Sequence, residues 1–153
     1  MKPFVFRFQK ILDWREHLET QEKHKFARVL KKYADKEREL KDKVNKKREY
    51  LSESNELLKK GEIESLIWRD RARQALTRGI EDGSVELQAE AEKLDVARRE
   101  LVEFTRKKKI MEKLKEKDKE KYEKELKRLE KHINSEIGQN IIFKRDFQNR
   151  EEV

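Results

Sequence analysis

Apolar residues recur every eleven positions in two stretches of this chain: Leu18, Val29, Leu40 and Leu51 in the first third, and Met111, Tyr122 and Ile133 near the end. An eleven-residue period corresponds to about 3.67 residues per turn, slightly more than an ideal helix, so a seam built on it stays nearly straight or winds faintly right-handed. Two such seams predict an all-α fold, a long antiparallel two-helix coiled-coil hairpin with a short helical segment at the tip. A helical pair of this kind has almost nowhere to enclose a substrate.

Composition agrees. Of 153 residues, 48% are charged and 34% hydrophobic, with one proline and four glycines, the balance of long helices rather than of a thick globular core. Charges of both signs are interspersed along a sustained apolar period, which separates the chain from a disordered polyelectrolyte. The formal charge is +8, from 41 basic and 33 acidic residues, so an acidic partner would be attracted. Cysteine is absent, which excludes disulfides and thiolate chemistry. The opening Met1-Lys2-Pro3-Phe4 and the lack of a long apolar run predict a cytoplasmic protein.

The first seam runs through Phe8, Ile11, Leu18, Phe26, Val29, Tyr33, Leu40, Val44, Leu51 and Leu58, giving a helix over about 5–60. Lys59 and Lys60 suit the negative end of the helix dipole, and Gly61 suits a left-handed cap. Asp82-Gly83-Ser84 reads as a turn in which Ser84 caps a second long helix over about 85–147, with Leu87, Leu94, Ala97, Leu101, Phe104, Met111, Leu114, Tyr122, Leu129 and Ile133 on its seam. The intervening 61–84 carries Leu66, Ile67, Ala72, Ala75, Leu76 and Ile80 at helical spacing and forms the tip segment. In a competing layout this segment fuses with the last helix, and Gly79 and Gly83 each cost about 1 kcal/mol against alanine. Lys36, Lys47, Lys108, Lys115 and Asp118 interrupt the seams, so the free hairpin should be marginal and stiffer when held by partners.

No catalytic constellation emerges. Gly61, Gly79, Gly83 and Gly138 form no phosphate-cradling loop. His17 and His24 lie two turns apart with only Thr20 and Gln21 between them on that face, a poor metal-ligand set. No cofactor, metal or catalytic residue is expected. Two surfaces stand out instead. With the termini at one end, Phe4, Phe6 and Phe8 are placed near Ile141, Ile142, Phe143 and Phe147, either stapling the helix ends or forming a docking surface. At the tip, Tyr50, Trp68, Leu76 and Ile80 pose the same choice, with Trp68 the better suited to binding. The run Arg106-Lys107-Lys108-Lys109 points all round its helix, without an aromatic platform, and nucleic acid is not expected.

The stretch Phe4-Val5-Phe6-Arg7-Phe8-Gln9-Lys10-Ile11-Leu12-Asp13-Trp14-Arg15-Glu16 resembles the opening of the FliJ family, soluble components of the bacterial flagellar type III export apparatus. Leu114-Lys115-Glu116-Lys117, Tyr122-Glu123-Lys124-Glu125 and Arg128-Leu129-Glu130 are similar to the family's C-terminal signature, and the central tryptophan segment also agrees. Where the family pattern tends to close on an acidic pair, this chain has Ser135-Glu136.

The resemblance implies a central stalk that enters a hexameric export ATPase ring, contacts the membrane export gate and export chaperones, and associates peripherally with the membrane through them. It implies ring binding by Phe6, Phe8, Ile11, Trp14, Arg15, Tyr122, Glu125, Arg128 and Glu130, and gate binding by Tyr50, Trp68, Leu76 and Ile80. It assigns no hydrolysis to the chain. Two alternatives fit the composition, a basic helical rod binding nucleic acid and a self-assembling structural coiled coil.

Overall fold

The computed structural model describes residues 2–151, with side chains described over 2–147. They form two long helices packed together as a helical hairpin, α1 over Gln9–Lys60 (52 residues) and α2 over Ile63–Glu151 (89 residues). The chain resolves into two compact units. Unit 1 comprises 1–16 and 106–153, and unit 2 comprises 17–105.

The end of α1 follows the expected chemistry. Gly61 adopts φ +71°, its N–H donates to the Leu58 carbonyl at 3.3 Å, and the Glu62 N–H donates to the Leu57 carbonyl at 3.3 Å. These are the paired bonds of a Schellman cap, closed by the one residue type that enters the left-handed region without strain. Glu62 then accepts from the Leu66 N–H at 3.1 Å and α2 begins.

The expected turn at Asp82-Gly83-Ser84 does not occur. Segment 61–84 and the second long helix are one element, starting at Ile63 rather than near 85. Ser84, read as an N-cap, instead donates its hydroxyl back to the Ile80 carbonyl at 2.9 Å, a bond that serine makes readily inside helices. Gly83 is a packing position. A Cβ built there would sit 3.1 Å from Leu40 Cδ1, so the missing side chain lets α1 approach closely.

In unit 2 the two helices run antiparallel, as their cross-helix pairs show. Lys25 meets Glu100, Lys36 Nζ donates to Glu86 Oε2 at 2.8 Å, and Arg69 pairs with Glu53 at 2.5 Å. Leu94 and Ala97 are buried, and Leu18, Val29, Leu40, Leu87, Leu101 and Phe104 are half-buried along the seam. The eleven-residue series fails at Leu51, which is exposed, because the shielded positions continue as Lys47, Tyr50, Ser54 and Leu57. Those steps of three and four follow a heptad, which rotates the buried face away from Leu51.

In unit 1 the N-terminal segment is an arm, and α1 starts at Gln9 rather than near 5. Phe4-Val5-Phe6-Arg7-Phe8 alternates in the period of extended chain, and β-branched Val5 follows Pro3. The alternation sends Phe6 inward to 4% exposure while Val5 and Arg7 face outward. Helical bonding begins where the Ile11 and Leu12 N–H groups both donate to the Phe8 carbonyl at 3.0 Å.

Candidate functional site

Unit 1 gathers the residues expected to meet an ATPase ring. Phe6 and Leu12 are its buried residues, with Met111, Leu114, Tyr122 and Leu126 half-buried on α2. The Tyr122 hydroxyl donates to the Lys2 carbonyl at 2.7 Å, and its ring lies 5.6 Å from that of Phe4. Phe6 and Phe8 make an edge-on pair at 5.9 Å. The arm's aromatics are therefore spent partly on each other and on Tyr122, which leaves Phe6 a packing residue.

The outward-facing members are Ile11, Trp14, Glu125, Arg128 and Glu130, with Arg15 half-buried beside Trp14. Trp14 is 54% exposed, and the Arg15 guanidinium sits 4.9 Å from its ring centroid. That stacking presents a flat apolar face and a fixed positive charge together. Glu125, Arg128 and Glu130 are exposed on α2.

The expected juxtaposition of Phe4, Phe6 and Phe8 with Ile141, Ile142, Phe143 and Phe147 is not present. The arm lies against Asp118, Lys121, Tyr122 and Glu125, and α2 continues well beyond them because its helix is far longer than α1. From Lys127 to Phe147 every described side chain is exposed. At 3.6 residues per turn, Leu129, Ile133 and Ile137 extend the seam face that carries Tyr122 and Leu126, and Ile141 continues the row as it drifts about 100° round the helix from Tyr122. The sequence offers Leu129 and Ile133 as seam positions and Ile141 as part of an end surface; that they form one uncovered stripe with Ile137 was not legible in it.

Unit 2 carries the other expected surface. Trp68 is 70% exposed, with the Arg71 guanidinium 5.6 Å from its ring. Tyr50 is half-buried under Arg69, whose guanidinium lies 4.7 Å from the ring and also pairs with Glu53. Tyr50 and Trp68 line one open groove of about 450 Å³ with Leu57, Ser65, Arg69 and Ala72. Leu76 and Ile80 are half-buried and outside it. They are on the packed side of α2, and the outward group of the four is Trp68.

A buried acid in unit 2 escaped the sequence reading. Glu19 is 4% exposed, accepts from the Thr105 hydroxyl at 3.2 Å and pairs with Lys23 at 3.1 Å. Its position one residue after Leu18 could have signalled it, since the shielded face includes both. Cross-helix pairing shifts the protonation of Lys25, Lys36 and Glu86. Hydrogen bonding to Glu100 holds Lys25 above the ordinary lysine range. The bond between Lys36 and Glu86 raises the lysine and lowers the carboxylate. Among the described residues, no group of three or more His, Cys, Asp or Glu side chains is arranged for a metal, and no helix is long and apolar enough to cross a membrane. His17 contacts Gln21 at 3.1 Å.

Paired helices with outward-facing aromatic surfaces and an apolar stripe define a helical hairpin protein whose candidate sites are open faces. Residues 4–146 match the family model described as flagellar FliJ protein, and the chain belongs to that family, whose members are components of the flagellar export apparatus. No curated protein and no solved structure matches it.

Proposed function

We propose that this chain is the central stalk of the export apparatus, binding the hexameric export ATPase through unit 1 and the export gate through unit 2. The observation that carries the reading is the uncovered stripe of Leu129, Ile133, Ile137 and Ile141, bordered by Glu125, Arg128 and Glu130. A helix face that continues its own seam without a partner is suited to a partner's apolar surface, and the flanking charges fix its register. Trp14 and Arg15 add a stacked pair of the kind that dominates interface energetics. In unit 2, Trp68 meets the gate, supported by Tyr50, with Leu76 and Ile80 holding the helix that presents it. Export chaperones dock on the same apparatus, and these contacts hold the chain peripherally at the inner membrane face.

The mechanism is coupling. The stalk's two surfaces let it bias the conformation of the ring and pass that bias to the gate, while hydrolysis belongs to the ring. The test is ATP turnover of the cognate ring with and without this chain and with an Arg15→Glu variant. Stimulation by the wild type, reduced at least tenfold in apparent affinity by the variant, supports the reading. A wild-type chain that neither binds nor stimulates the ring overturns it. Tight binding to duplex or RNA with a steep salt slope would favour the nucleic-acid alternative instead, and filaments in light scattering the structural one.

A further inference from the structure

On the side of α2 away from its seam, Lys113, Lys117, Lys121, Lys124, Arg128 and Lys131 follow one another at steps of three and four. At 3.6 residues per turn they fall within roughly a quarter of the helix circumference and extend about 27 Å along it. None of the acids between Glu112 and Glu130 lies in that sector. All six side chains are exposed. Other lysines of unit 1 find acids on their own helix, Lys108 with Glu112 and Lys119 with Glu123; among the described residues the six make no ion pair, although Glu120 and Glu125 stand one turn from Lys117, Lys121, Lys124 and Arg128. Four of them line an open depression of about 480 Å³ together with Lys127 and one acid, Glu125. In a chain so rich in both signs, a row of one sign left unpaired is a concentrated positive face.

We infer that this row docks unit 1, in the chain that is not seated in the ATPase ring, directly onto an anionic membrane surface, its ligands being the phosphate groups of acidic lipids; Arg128 then serves one surface at a time. Three features select that partner. Leu114 borders the row beside Lys113 and Lys117, but no apolar or aromatic residue lies within its sector between Lys113 and Lys131, so it lacks the successive anchors of a helix groove and the stacking platforms of a single-strand binder. A duplex phosphate strand winds around its axis once in about 34 Å, so it leaves a row of about 27 Å that runs along a helix, whereas a plane meets every member. Five of the six are lysines, mobile point charges suited to fluid headgroups, where arginine forks would suit one fixed phosphate geometry. Ile110 and Ile142, both exposed, lie in the same sector beyond the two ends of the row and can enter the headgroup boundary there. This contact is separate from any made through the export gate.

Sedimentation with phosphatidylcholine vesicles containing about one third phosphatidylglycerol tests it at about 0.1 M salt. The wild-type chain should bind these vesicles and leave pure phosphatidylcholine vesicles unbound. Lys117→Glu, Lys124→Glu and Lys131→Glu together should weaken partitioning at least tenfold, and the corresponding Gln triple should weaken it less. Lys31→Glu, Lys41→Glu and Lys46→Glu, an equal charge change at exposed sites of unit 2, should have at most a twofold to threefold effect. Circular dichroism checks that each variant keeps its helix content. An equal loss from both Glu triples assigns the attraction to net charge and overturns the proposal. So does binding to neutral vesicles, or tighter binding to a duplex or to polyglutamate than to the anionic vesicles. The assay contains no ATPase, so its outcome is distinguishable from failure of the stalk reading.

Discussion

Tyr122 holds the N-terminal arm at two points, its ring 5.6 Å from that of Phe4 and its hydroxyl donating to the Lys2 carbonyl at 2.7 Å. The two contacts are separable. Tyr122→Phe removes an exposed hydrogen bond, worth about 0.5–1 kcal/mol. Tyr122→Ala also removes the ring contact, worth about 0.5–1.5 kcal/mol beyond its area. Opening of the arm is read by trypsin at Arg7. Tyr122→Phe should accelerate cleavage a few-fold and Tyr122→Ala about tenfold, on a scale of about 1.4 kcal/mol per factor of ten. An unchanged rate in both would mean that burial of Phe6 alone holds the arm.

The glycines predict opposite signs for one substitution. Gly138 is helical with no atom within 4 Å of a built Cβ, so Gly138→Ala should stabilise the helix by up to about 1 kcal/mol. Gly61 sits at φ +71°, and Gly61→Ala should destabilise by about 1–2 kcal/mol through left-handed strain. Gly83→Leu drives a side chain into Leu40 and should cost about 1–3 kcal/mol. Urea unfolding of the three variants orders them, and a stabilising Gly61→Ala would refute the cap.

Glu19 is a buried acceptor, and its replacements should rank by what they leave unpaired. Glu19→Gln keeps an oxygen for the Thr105 hydroxyl and loses the pair with exposed Lys23, a cost of about 0.5 kcal/mol or less. Glu19→Ala leaves the part-buried hydroxyl without that acceptor and opens space, costing about 1–3 kcal/mol. Chemical denaturation measures both. Equal effects would mean that the charge of Glu19, rather than its acceptor role, is what unit 2 uses.

The pH dependence of unit 2 has a definite sign at each end. Glu86 is held below the ordinary carboxylate range, first by its hydrogen bond from Lys36 and then by that lysine's charge. Its contribution is present above the ordinary carboxylate pKa and is lost as pH falls through its lowered folded value. Lys36, raised chiefly by Glu86, and Lys25, raised chiefly by Glu100, contribute below the ordinary lysine pKa and lose that contribution as pH rises through their raised folded values. All three groups are solvated, so the effects should be small and weakened by salt. Carbon-detected titration should show the Glu86 midpoint moving up in Lys36→Met, and no movement would show that the pair does not persist in solution.

These elements differ in how far local chemistry determined them. The end of α1 was legible because Lys59, Lys60 and Gly61 all favour the same cap. The continuity of α2 was legible only as the competing layout, because a serine hydroxyl can cap a helix or bond back to the preceding turn. The choice at Ser84 rests on Leu40 filling the space that Gly83 leaves, a contact between residues far apart in sequence. The arm was missed because Phe8 fits both the helical seam and the alternation that begins at Phe4. The outward residues of the candidate surfaces, Trp14 and Trp68, were legible by type. The exposed stripe beyond Tyr122 was not, since a seam pattern says which face is apolar and does not say whether anything covers it.

Tyr50 and Trp68 share a groove, yet they should fail differently when truncated. Trp68 is exposed and touches its own helix through Arg71, so Trp68→Ala should change stability by no more than about 0.5 kcal/mol. If it is the anchor of the gate contact, the same change should cost at least about 2 kcal/mol of binding. Tyr50 lies under Arg69, which bridges to Glu53 across the two helices. Tyr50→Ala removes the surface against which that guanidinium is ordered, and should cost about 1–2 kcal/mol of stability with a smaller direct loss of binding. Calorimetric titration against the soluble part of the gate, beside thermal melts of both variants, separates the two roles. A Trp68→Ala chain that binds normally would remove Trp68 from the gate surface, and a melt lowered by that variant as much as by Tyr50→Ala would make it a packing residue of unit 2.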